Sequence, residues 1–66
     1  MPAQVIVSKK GDGAELVEDT GLRVQVSHPD GMKRRHAEVV FARLGWYRYG
    51  SWANREFGYA AEFRRR

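Results

Sequence analysis

The sequence predicts an α+β domain: a small antiparallel sheet of four to five strands, packed by one helix at about 31–44. Three observations lead there. Leu22, Val24 and Val26 alternate with Arg23, Gln25 and Ser27, the period-two pattern of a strand that is wet on one face. Downstream the period changes, and Ala37, Val40, Phe41 and Leu44 fall at i, i+3, i+4 and i+7, one stripe of a helix. Gly and Pro punctuate the chain between these runs, which implies hairpins and hence antiparallel pairing.

Taken in order, Gln4-Val5-Ile6-Val7-Ser8 is β-branched and reads as a first strand. Gly11-Asp12-Gly13 supplies a turn, and Ala14 to Glu18 returns as a second strand. Asp19-Thr20-Gly21 turns again into the Leu22–Ser27 strand. His28-Pro29-Asp30-Gly31 ends that strand, because proline cannot donate to a ladder. Asp30 is the expected helix N-cap and Gly45 the expected C′ residue. Val39 sits opposite the apolar stripe. Trp46 to Trp52 is rich in aromatics and reads as extended, with Ala53-Asn54-Arg55 as a connection. Glu56 to Phe63 then alternates, with Phe57, Tyr59, Ala61 and Phe63 on one face. A C-terminal helix is the rival there, weakened by Gly58. The predicted order is β-β-β-α-β-β. The alternative is a small all-β, SH3-like barrel in which residues 32–44 are also strand.

Sixty-six residues suffice for one domain, 1–66, with a modest core. There is no cysteine, so no disulfide adds to that core, and a reducing compartment is expected. His28 and His36 alone do not make a structural metal site, which normally takes four ligands. The first ten residues lack a signal-peptide core, and the longest apolar run, Val39 to Ala42, is far short of the ~20 residues of a membrane span. A cytoplasmic protein with no membrane contact is expected.

The net charge of +4 is unevenly spread: residues 1–31 carry −2 and residues 32–66 carry +6. All eight aromatic residues lie between Phe41 and Phe63. A segment both basic and aromatic suits a polyanion. Aromatic residues also build cores, so the pattern alone does not choose.

Three clusters sharpen the reading. Lys33-Arg34-Arg35-His36 falls in the first helical turn, where the macrodipole is already positive and cations are mildly unfavourable. Selection for stability alone would place Asp or Glu there. Anion binding explains the placement, since free N–H groups and cationic side chains would converge on one phosphate. Trp46, Tyr47, Arg48, Tyr49, Trp52 and Arg55 form the second cluster. Tyr47 and Tyr49 share one strand face and Trp46, Arg48 and Trp52 the other, so one set is expected to be exposed. Arg64-Arg65-Arg66 is the third, read either as a frayed basic tail or as a phosphate contact.

Catalysis finds little support. The chain has no nucleophilic cysteine, metal-ligand spacing, Gly-rich phosphate loop or paired carboxylates in a suitable setting. His28, His36 and Arg34 could in principle serve a metal-free ribonuclease as acid, base and phosphate clamp, but nothing in the sequence brings them together. The layout does not fit an RRM, a KH domain, a double-stranded-RNA domain or a zinc finger.

The expected function is therefore a non-enzymatic, cofactor-free module binding DNA or RNA. The contact residues would be Lys33, Arg34, Arg35, His36, Arg48, Tyr49, Trp52, Arg55, Arg64 and Arg65. The alternative is a stoichiometric inhibitor or adaptor, of the phage or mobile-element accessory type, docking on an acidic or nucleic-acid-binding protein surface. A homodimer through an edge strand, Trp46–Trp52 or Glu56–Phe63, is a further expectation.

Overall fold

A computed structural model describes residues 2–10, 13–28 and 31–65. Its elements are β1 (Pro2–Ser8), β2 (Ala14–Glu18), β3 (Arg23–Val26), α1 (Arg34–Arg43), β4 (Trp46–Arg48), β5 (Ala53–Asn54) and β6 (Gly58–Arg65). The strands form one antiparallel sheet in the order β3-β2-β1-β6-β4, with β5 also pairing β6. The α+β class holds. The barrel alternative does not, because the sheet stays open and residues 34–43 are helical. No helix among the described residues is long and apolar enough to cross a membrane.

Alternation along the strands decides which side chains meet α1. Ala3, Val5 and Val7 of β1 are buried, opposite Phe63, Ala61 and Tyr59 of β6. Leu16 and Ala14 continue that surface into β2, and Val24 and Val26 of β3 pack at its margin. α1 lays Ala37 and Phe41 onto it, Phe41 meeting the Phe63 ring edge-on at 6.1 Å. Met32 and Trp46 close the ends of this core. Each fully buried Leu, Val or Phe contributes about 1.5–3 kcal/mol by leaving water, so this layer dominates stability.

Several boundaries differ from the sequence expectation. Leu22 is 54 % exposed, because β3 starts at Arg23 and only Val24 and Val26 reach the core. Leu44 is also half-exposed, so the helical stripe effectively ends at Phe41, with Val40 half-buried beside it. Lys33, not Asp30, occupies the N-cap position and supplies no side-chain cap; Asp30 lies outside the described residues, as do Gly11 and Asp12 of the expected first turn. Gly45 adopts the left-handed conformation (φ 91°) and donates to the Ala42 carbonyl, as expected of a residue that stops a helix.

The aromatic segment 46–52 is not one strand. The amides of Tyr49 and Gly50 both donate to the carbonyl of Glu62, at 2.8 and 3.2 Å. Two residues facing one is bulge geometry, and it throws the chain off the ladder. Pairing resumes at Ala53 and Asn54, which were expected to be a connection. The excursion turns Trp52 inward, edge-on to Phe63 at 5.8 Å. Arg55 and Gly58 then close a tight turn with Glu56 and Phe57 at its tip. Phe57 is consequently exposed rather than part of the core face. The 56–64 alternative resolves as strand, but β6 begins only at Gly58. β6 runs between β1 and the β4–β5 pair, so it is an interior strand and offers no edge for dimerisation. Arg64 and Arg65 are paired within it, opposite Tyr47 and Trp46, not frayed beyond it; Arg66 lies outside the described residues.

Candidate nucleic-acid interface

Lys33, Arg34, Arg35 and His36 are all exposed at the start of α1, whose first turn holds no acidic residue. The fold adds neighbours that chain order does not suggest. Pairing of β1 with β6 sets Val7 opposite Tyr59, so Lys9, two residues on, comes to the same end of the sheet as the helix start. Tyr59 takes Arg34 over its ring at 4.2 Å and Lys9 Nζ at 5.9 Å. These residues, with Lys33, Met32, Val7 and Ser8, line a small recess. A second recess on the other side of the Lys33–Arg34 ridge is lined by Lys33, Arg34, Arg35, His36, Glu38 and Trp52. The helix start is therefore a cationic ridge between two hollows, one holding Tyr59 and one Trp52.

His28, at the end of β3's extension, stacks on His36 with ring centroids 5.7 Å apart and planes 7° from parallel. The two histidines thus meet, which their separation in the sequence concealed. The two rings face each other in a parallel stack. Among the described residues no group of three or more His, Cys, Asp or Glu side chains could hold a metal ion.

Ion pairs take up three arginines away from the helix start, while Lys10, Arg43, Arg55 and Arg65, like the helix start, form none among the described residues. Ion pairs among the described residues join Arg23 to Glu15, Arg48 to Glu38 and Arg64 to Glu62. None involves Lys9, Lys33, Arg34, Arg35 or His36. Arg48 also donates to the Gly50 carbonyl at 2.8 Å. A larger recess, near 670 Å³, lies between the β1–β3 end and Phe57, but among the described residues its one charged lining residue is Glu15. On electrostatic grounds the helix start, not this larger hollow, suits an anion.

The remaining sequence-nominated residues are dispersed. Trp52 packs against the core and lines the helix-start recess; its buried Nε1 has no hydrogen-bond partner among the described residues. Arg55 is exposed at the turn before β6. Tyr49 is 63 % exposed and lies under the Arg64 guanidinium at 3.6 Å. Both belong to the sheet face away from α1, since Phe63 points to the helix and Arg64 alternates with it. The hydrogen bond from Arg64 Nε to Glu62, 2.7 Å long, raises the Arg64 pKa, desolvation opposing it and the nearby Tyr49 adding to it. Arg65 sits beside the Trp46 ring at 5.7 Å. Tyr47 and Tyr49 are thus the exposed aromatic set of the second cluster, and Trp46 and Trp52 the set turned to the core.

Sequence reasoning missed Lys9, Glu38 and Tyr59 as neighbours of the helix start. Lys9 was counted with the acidic half of the chain, and only the β1–β6 pairing relocates it. No protein-family model, curated protein or solved structure matches the chain.

Proposed function

We propose that the chain is a polyanion-binding module that acts by contact and not by catalysis. Within that class, the reading best supported is a nucleic-acid binder that grips the phosphate backbone with the start of α1. The observation that carries it is a row of four consecutive basic residues, Lys33 to His36, with no ion-pair partner among the described residues. They stand on a helix end that disfavours cations and are joined by Lys9 from another element. Such a placement costs stability and is explained by an anion that reverses the cost. Exposed lysine and arginine alone would be unremarkable; unopposed convergence at a helix N-terminus is not.

Titration of labelled single-stranded and duplex oligonucleotides at low and physiological salt tests the proposal. Affinity should fall steeply with salt, because each phosphate neutralised releases counterion. Absence of binding to either form at low salt would reject it.

A second reading, docking on an acidic protein surface, draws on the far face of the sheet, where Tyr49 stands exposed next to Arg64. Capture from lysate with and without nuclease separates the two. A partner that survives nuclease favours the protein, and one lost with the nucleic acid favours the first reading.

A further inference from the structure

We infer that Arg48 is a positioning residue for the anion site, and that it acts by holding Glu38 away from the helix-start cations. The inference rests on the nucleic-acid reading above.

Glu38 is the one acidic residue in α1. It follows Arg34 by four residues and Arg35 by three, the spacings at which a helix brings side chains together. Left to the helix alone, its carboxylate would pair with those arginines and cancel charge where an anion is to dock. Glu38 also lines the recess shared by Lys33, Arg34, Arg35, His36 and Trp52, so the conflict is local. Its Oε1 instead accepts from Arg48 Nε, which reaches over from β4. The other arm of the same guanidinium, Nη1, donates to the Gly50 carbonyl. Arg48 is thereby tied to the bulge that directs Trp52 into the core.

The pair is half-exposed, with side chains 40 % and 35 % accessible, so its direct contribution to stability is small. Its consequence is electrostatic. With Glu38 engaged by Arg48, Arg34 lies over Tyr59, and Arg35 has no ion-pair partner among the described residues. Arg48, nominated from the sequence as a binding contact, thus has its charge already engaged by Glu38. Its effect on binding is exerted through that carboxylate.

The test is a cycle of four proteins: the parent, Arg48→Gln, Glu38→Gln and the double variant. Each is titrated by fluorescence anisotropy against one labelled oligonucleotide at low salt. Arg48→Gln should weaken binding by about threefold to fivefold, the effect of one exposed charge pair forming where it is unwanted. Glu38→Gln should bind at least as tightly as the parent. The double variant should bind like Glu38→Gln, because without the carboxylate there is nothing for Arg48 to restrain. The Arg48→Gln defect should shrink at high salt. An equal loss from Arg48→Gln with and without Glu38 would mean that Arg48 touches the phosphate itself, and would overturn the inference. So would an Arg48→Gln protein that binds like the parent. Should Arg48→Gln not fold, Glu38→Asp takes its place. Its carboxylate falls one methylene short of Arg48 but keeps its helical spacing from Arg34, so it should weaken binding likewise; unchanged binding would overturn the inference. A parent that binds no oligonucleotide overturns the nucleic-acid reading and this inference with it. A parent that binds while the two substitutions act independently overturns only the inference.

Discussion

Gly58 is where one residue constrains the most backbone. Its φ is 155°, and a Cβ built there would lie 2.1 Å from the Val7 carbonyl oxygen, which belongs to the adjoining strand. The oxygen is backbone and cannot rotate away. Gly58→Ala should therefore destabilise by at least the ~1–3 kcal/mol typical of overpacking, which is a large share of the stability of so small a domain. Urea or thermal unfolding followed by circular dichroism measures it; a melt within a degree or two of the parent would contradict the strand pairing drawn for β1 and β6. Trp52 poses the opposite case. Its indole N–H is buried without a partner among the described residues, and an unmade hydrogen bond of that kind costs about 1–3 kcal/mol. Trp52→Phe keeps an aromatic ring against Phe63 and removes the orphan donor, at the loss of some packing area. The expected melt is equal to the parent's or higher. A clear loss of stability would show that indole volume matters more than the orphan N–H.

At the scale of elements, the start of α1 opposes function to stability. Lys33 and Arg35 make no ion pair among the described residues, whereas Arg34 gains a cation–π contact with Tyr59 worth roughly 0.5–1 kcal/mol. The double change Lys33→Glu with Arg35→Glu leaves that contact intact. It should raise stability by about 0.3–1 kcal/mol per site, since acidic groups suit a helix N-terminus, while abolishing oligonucleotide binding. Melting curves and a binding titration on the same protein check both halves. Earlier melting would mean these side chains support the fold. The position of this helix was legible in the sequence because a period of 3.6 and a following glycine are local signals. So were the turn before β3 and the strand character of β2. The break in the aromatic segment was not legible. Nothing in Trp46-Tyr47-Arg48-Tyr49 announces that Tyr49 and Gly50 will share the single carbonyl of Glu62. That bulge depends on a partner strand a dozen residues away.

Across the whole molecule the charge is only partly paired. Arg23, Arg48 and Arg64 pair with Glu15, Glu38 and Glu62, while Lys9 and the helix start, gathered at one end of the sheet, form no ion pair among the described residues, nor do the more scattered Lys10, Arg43, Arg55 and Arg65. The sequence showed the excess, +6 over residues 32–66, but not its distribution, because partition between paired and unpaired cations is a property of strand order. Of the ten residues nominated for contact, Lys33 to His36 and Trp52 line one recess; Tyr49 and Arg64 fall on the far face, and Arg48 turns to Glu38. Lys9 joined the site only through the β1–β6 ladder.

The most direct measurement is the salt dependence of oligonucleotide affinity in the parent and in the neutral variant Lys33→Gln with Arg35→Gln. If both side chains neutralise phosphates, the slope of log K against log salt should fall in magnitude by about two, near 0.9 for each contact removed on duplex DNA. The same slope in both proteins, even with weaker binding overall, would place the phosphate contacts elsewhere and contradict the assignment of the helix start as the binding site.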